Sequence, residues 1–133
     1  MRFMMLIYPG SAYPEEWGPE EVEAFAAMGR FNDELTQAGV LLSVDGLQPD
    51  SEGARVRYSG GAPTVTDGPF TEAKEVVGGL WIIQATDQAE AVEWAKRIPA
   101  RPGDFVEVRR VSQRGDFPEH LREALAHSEQ TSA

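Results

Sequence analysis

Hydrophobic and polar positions fall along this chain in blocks whose period changes from one to the next, and each change marks an element of secondary structure. Phe3-Met4-Met5-Leu6-Ile7-Tyr8 is apolar without alternation, the pattern of a strand buried on both faces in the middle of a sheet. A loop follows through Pro9-Gly10-Ser11 to Trp17-Gly18. Pro19 then stands where a helix can start without losing a needed amide, with Glu20, Glu21 and Glu23 near the positive end of its dipole. Val22, Phe25, Met28, Phe31, Leu35 and Ala38 recur at helical spacing, which predicts one apolar stripe lying on a sheet, and Gly39 is placed to end the helix.

Val40-Leu41-Leu42-Ser43-Val44 predicts a second strand that ends before Asp45-Gly46. Arg55-Val56-Arg57-Tyr58 alternates as a more exposed third strand, Ser59-Gly60-Gly61 supplies a turn, and Thr64-Val65-Thr66 forms the returning arm of a hairpin. That arrangement leaves Asp67 where pairing ends. Val76-Val77 and Leu80-Trp81-Ile82-Ile83 read as a core strand around Gly78-Gly79, where missing side chains permit a bulge or a close backbone approach. Asp87 and Glu90 have capping-box spacing at the start of a second helix, which Ala91, Trp94, Ala95 and Ile98 continue and Pro99 ends. Residues 105–111 are the last strand; Pro118 to His127 predict a short helix with Phe117, Leu121 and Leu125 on one side, and residues 128–133 a disordered tail.

The order is therefore β-α-β-β-(β)-β-α-β, an α+β fold of the ferredoxin-like split βαβ type with an extra hairpin arm, an antiparallel sheet and both main helices on one face. Such a sheet keeps a second, apolar face, which predicts a homodimer with the sheets packed face to face.

The chain has 133 residues, enough for one hydrophobic core and too few for two ordinary domains. Residues 1–111 carry the pattern of that domain, and residues 112–133 are an extension. Twelve Lys and Arg stand against 22 Asp and Glu, a net charge of −10 that repels a phosphate backbone or an anionic lipid surface. Nucleic acid and membrane are thereby excluded as expected partners. Without cysteine there are no disulfides, thiolate metal sites or thiol nucleophile. The apolar start is shorter than a membrane span and lacks a small-residue cleavage site, so a cytoplasmic location is expected. No Asp-rich loop has calcium-site spacing and no His cluster suggests zinc, so no metal is expected.

Asp67-Gly68-Pro69-Phe70-Thr71-Glu72-Ala73-Lys74-Glu75 resembles the Asp-Gly-Pro-Phe-Ala-Glu-Thr-Lys-Glu signature of the DGPF, or YCII-related, family. The resemblance extends over residues 1–111: the Met-rich opening strand ending in Ile7-Tyr8, Gly46-Leu47-Gln48-Pro49, Gly78-Gly79, and Val106-Glu107-Val108-Arg109. It implies a ferredoxin-like fold of the dimeric α/β-barrel superfamily, with a cleft between sheet and loops. Related proteins carry a His-Asp pair suited to acid/base chemistry, but His120 and His127 lie beyond the resembling region, so the pair does not transfer. The same absence argues against haem, which needs an axial ligand, and no cofactor is expected.

Pro69 fixes its own backbone and biases Gly68 towards extended geometry, so the signature should hold a rigid turn that gives Asp67 a defined direction. Shielded by Phe70 and Trp81, the Asp67 carboxyl would serve as a general acid or base, while Lys74 nearby would favour its anion. The structural alternative is an Asx-turn at Asp67 with Phe70 anchoring the loop. Gly68, Phe70, Glu72, Lys74 and Glu75 complete the expected binding segment, and Tyr8 and Glu107 are further pocket-lining candidates from central strands. Two functions follow. One is a dimeric small-molecule-binding protein or cofactor-free enzyme of lyase, isomerase or oxygenase type, with a cleft near residues 67–75. The other, implied by the family's link to extracytoplasmic-function sigma factors, is an accessory or regulatory interaction module.

Overall fold

The computed structural model of the chain describes residues 1–12, 14–70 and 75–125. Glu72, Lys74, His127 and the expected tail at 128–133 lie outside the described residues. Strand β1 (Arg2–Tyr8) opens the chain, followed by helix α1 (Pro19–Gln37), β2 (Leu41–Gly46), the hairpin strands β3 (Ala54–Arg57) and β4 (Thr64–Asp67), β5 (Gly79–Gln84), helix α2 (Gln88–Ala95), β6 (Phe105–Arg110) and helix α3 (Glu119–Ala124). Strands β2-β5-β1-β6 form a four-stranded sheet in that spatial order, and β3-β4 pair separately. All pairs are antiparallel, the ferredoxin-like arrangement with the hairpin inserted between β2 and β5.

The period-2 geometry of the strands sorts their residues into two layers. Phe3 and Met5 of β1 pair with Ile83 and Trp81 of β5, and all four are buried with Phe31 and Leu35 of α1 and Ala91 and Ile98 at α2. This is the core. On the opposite face Met4 and Leu6 pair with Ile82 and Leu80, flanked by Arg109, Glu107 and Phe105 of β6. Those central residues are half-buried, and α1 and α2 both pack on the other face of the sheet.

Helix boundaries follow local chemistry. Pro19 starts α1, and at its far end Val40 N–H donates to the Leu35 carbonyl at 3.1 Å and Gly39 N–H to Thr36 at 3.0 Å. Those paired bonds, with Gly39 at φ 74°, form a Schellman stop that a Cβ at Gly39 would disfavour. Asp87 caps α2 by accepting from Glu90 N–H at 2.9 Å, while the Glu90 carboxylate turns back to the Thr86 main-chain N–H at 3.2 Å rather than to Asp87.

Three sequence expectations shift. The second strand continues through Asp45-Gly46 instead of ending before them, because both residues pair with Leu80 and Gly79. Val76-Val77 fall outside β5, which starts at Gly79. Of the predicted stripe on α1 only Phe31 and Leu35 are buried, whereas Val22 and Phe25 are exposed, since the N-terminal half of the helix overhangs the sheet.

An ion pair ties the extension to β6. Arg110 meets Asp116 with two parallel bonds of 2.8 Å, and Asp116 also accepts the Gln113 N–H at 2.7 Å. The guanidinium first, and that amide second, hold the Asp116 carboxyl below its ordinary range. The same contact raises Arg110.

Candidate functional site

The Asp104 carboxylate ties down the loop after β1. Asp104, just before β6, accepts the Gly10 N–H at 2.8 Å and, with its other oxygen, the Arg101 N–H at 2.9 Å. Alongside, Gly78 N–H donates to the Ile7 carbonyl at 2.8 Å. A Cβ at Gly78 would come within 2.6 Å of the Pro9 ring, so the missing side chain lets the loop cross the end of β5. This is the close approach expected of the Gly78-Gly79 pair.

Between that loop, the overhanging half of α1 and the ends of β1, β2 and β5 lies a cleft of about 440 Å³, inside the roughly 300–1,000 Å³ usual for small-molecule sites. Ile7, Val44 and Trp81 form its sheet side, Ala24, Phe25 and Met28 its helix side, and Pro9, Pro14 and Trp17 its loop side. Trp17 and Phe25 meet edge to face with centroids 6.2 Å apart, yet remain 57% and 72% exposed. Trp81 is held from behind: its indole N–H donates to Asn32 Oδ1 at 2.7 Å, and Phe31 abuts it edge-on at 5.9 Å.

Charge in this cleft is sparse. Glu21, Asp45, Arg101 and Asp104 line it, and Asp104 already receives the two amides above. Glu21 lies one α-helical turn before Ala24 and Phe25, on the stripe of α1 that faces the cleft. It is half-buried. Among the described residues its carboxylate has no hydrogen-bond or ion-pair partner. The periodicity of α1 hid it, because a stripe sought among apolar residues selects Val22 and passes over Glu21.

The signature segment is built differently. Asp67 closes β4 opposite Ala54 and is exposed, with no hydrogen bond to its carboxylate among the described residues. The Gly68-Pro69 peptide bond is cis. Gly68 N–H donates to the Gly53 carbonyl at 2.9 Å, and a Cβ at Gly68 would overlap the main-chain oxygen of Asp50. Asp50 itself, which no motif in the sequence singled out, accepts the Phe70 N–H at 3.2 Å. The Arg55 guanidinium lies 3.9 Å above the Phe70 ring, a cation–π contact. These contacts clamp the end of the hairpin onto the 3-10 turn Asp50–Glu52.

Asp67, Gly68, Phe70 and Glu75 do not line the cleft, and neither do Tyr8 or Glu107. Residues 75–77 carry the chain from the signature to Gly78 at the cleft wall. On the open face of the sheet, Tyr8 stacks on Phe105 at 4.6 Å. Glu107, paired with Leu6, has Arg109 at 3.8 Å. A second depression of about 580 Å³ runs between α2 and β6, past Val92, Ile98 and Val106. It presents no aromatic ring besides Phe105, so the aromatic cleft is the better-formed site. Among the described residues no group of three or more His, Asp or Glu could hold a metal, and no helix is long and apolar enough to cross a membrane.

Residues 1–114 match the YCII-related domain. An uncharacterized protein of Rhizobium meliloti (strain 1021) is 31% identical over 99 residues, which cover 74% of this chain and 80% of that protein.

Proposed function

The chain belongs to the YCII-related domain family, and from that premise we propose that it is a dimeric small-molecule-binding protein or cofactor-free enzyme whose ligand occupies the cleft under the N-terminal half of α1. The observation that carries this reading is a pair of large aromatic side chains, Trp17 and Phe25, exposed at the mouth of a cleft of about 440 Å³. Large apolar side chains gathered at a concave surface favour an apolar ligand, since covering them releases about 25 cal/mol per Å².

The signature acts in this proposal from the side. It anchors the hairpin to the 50–52 turn and leads the chain towards Gly78 at the cleft wall, so Asp67 serves the site through the path of the chain rather than by touching the ligand. Support for a dimer comes from the open face of the sheet, where Met4, Leu6, Leu80 and Ile82 form an apolar centre. A second copy packed there would leave the helix-side cleft of each protomer accessible.

Thermal-shift screening against a metabolite library tests the cleft, because a ligand that binds only the folded chain raises its apparent stability. Hits should stabilise the wild type and lose their effect in Phe25→Ala and Trp17→Ala. Both side chains are exposed, so truncation spares the core. Stabilisation that survives in both variants but disappears in Asp67→Asn would move the site to the signature.

A further inference from the structure

We infer that the cleft is a site for an amphipathic cation: an aromatic or aliphatic body bearing a protonated amine, held by the rings of Trp17 and Phe25 and neutralised by Glu21. The inference rests on the cleft being the ligand site and adds the chemical class of the ligand.

Three observations converge on it. The first is Glu21, a half-buried carboxylate on the cleft-facing stripe of α1, where its neighbours along the stripe are Ala24, Phe25 and Met28. Its carboxylate lies beside Gly18 at the start of the helix and has no cationic side chain paired with it among the described residues, so a protonated amine in the cleft would supply the counter-ion. The second is the aromatic mouth. Trp17 and Phe25 meet edge to face while staying 57% and 72% exposed, and an ammonium is attracted to the negative face of an aromatic ring, most strongly that of Trp. The third is the field of the whole chain, whose net charge of −10 raises the local concentration of cations and lowers that of anions.

Arg101 is the lining residue that speaks for an anion. Its side chain is exposed, and its main-chain N–H is bound to the carboxylate of Asp104, which places a negative charge next to it at the rim. An anion entering beside Arg101 would therefore meet Asp104 at once and Glu21 further along the wall. A cation meets Glu21 and two ring faces.

Three probes that share one hydrophobic body and differ only in charge separate these cases: phenylbutylamine, phenylbutanol and phenylbutyrate, titrated by calorimetry into the full chain at low ionic strength. The amine is expected to bind about fivefold or more tighter than the alcohol, as one cation–π contact with a partly desolvated ion pair would give, and the carboxylate weakest. Glu21→Gln keeps the shape and should bring the amine down to the alcohol while leaving the alcohol unchanged. Phe25→Ala should weaken all three. Circular dichroism confirms that both variants are folded. The cationic assignment is overturned if phenylbutyrate binds as tightly as the amine, or if Glu21→Gln leaves the amine unaffected; in either case continued sensitivity to Phe25→Ala means the cleft reading stands. Binding of all three probes that ignores Phe25→Ala overturns the cleft reading itself.

Discussion

A methyl group added at Gly68 would overlap the main-chain oxygen of Asp50, so the most recognisable segment of the sequence is constrained by the close approach of two backbones. Gly68→Ala must part the hairpin from the 50–52 turn or strain both. Overpacking of this kind costs about 1–3 kcal/mol, and urea denaturation should show a loss in that range. Gly61→Ala is the control: a Cβ there meets nothing within 4 Å, and its effect should stay within about 0.5 kcal/mol. The signature was legible as a rigid turn, because Pro and Gly announce backbone geometry locally. Its docking partner was not. Asp50 accepts the Phe70 amide across 20 residues of sequence, and nothing in the local sequence distinguishes Asp50 from the other aspartates.

Elements show the same division between local and distant causes. The start of α1 at Pro19, its stop at Gly39 and the Asp87 cap of α2 follow from side chains within four residues of each helix end, and all were readable beforehand. Which half of α1 rests on the sheet was not, because the stripe from Phe25 to Leu35 is continuous in sequence while the sheet beneath it is not. That mismatch produces the cleft. At the other end of the chain, the 3-10 turn Arg114–Asp116 is held to β6 by the Arg110–Asp116 pair. The folded carboxyl lies below its unfolded value, about 3.9, so its contribution to stability is present above that pH and is lost as pH falls through the folded value. Protection of the amides over residues 113–125, that is exchange normalised to the intrinsic rate at each pH, should therefore be steady from neutral pH to about 4 and fall on further acidification. Asp116→Asn should show lower protection at neutral pH and lose the acid step. Arg110 stays charged throughout, since the same contact raises it further.

For the whole molecule, α1 and α2 pack on the Phe3 and Met5 face of the β2-β5-β1-β6 sheet, and the apolar centre of the opposite face carries the expectation of a dimer. Stable interfaces bury roughly 800 Å² on each partner, about what a small four-stranded sheet can offer. Sedimentation at micromolar concentration should give twice the chain mass for the wild type and a monomer for Ile82→Lys, which sets a charge at the centre of that face. A wild-type monomer under those conditions would remove the dimer from the proposal.

The sequence by itself determined the element order, the α+β class and the family, because hydrophobic period, capping residues and turn residues act over a few positions and leave their mark where they act. Only the tertiary structure decided where a ligand could be held. The cleft joins Trp17 and Glu21 to Val44, Trp81 and Arg101, residues far apart in the chain and individually unremarkable, and it exists because one helix is longer than the support beneath it. The signature betrays its identity in sequence because it satisfies a demanding local backbone. The cleft stays silent there because a cavity is a property of what packing leaves unfilled.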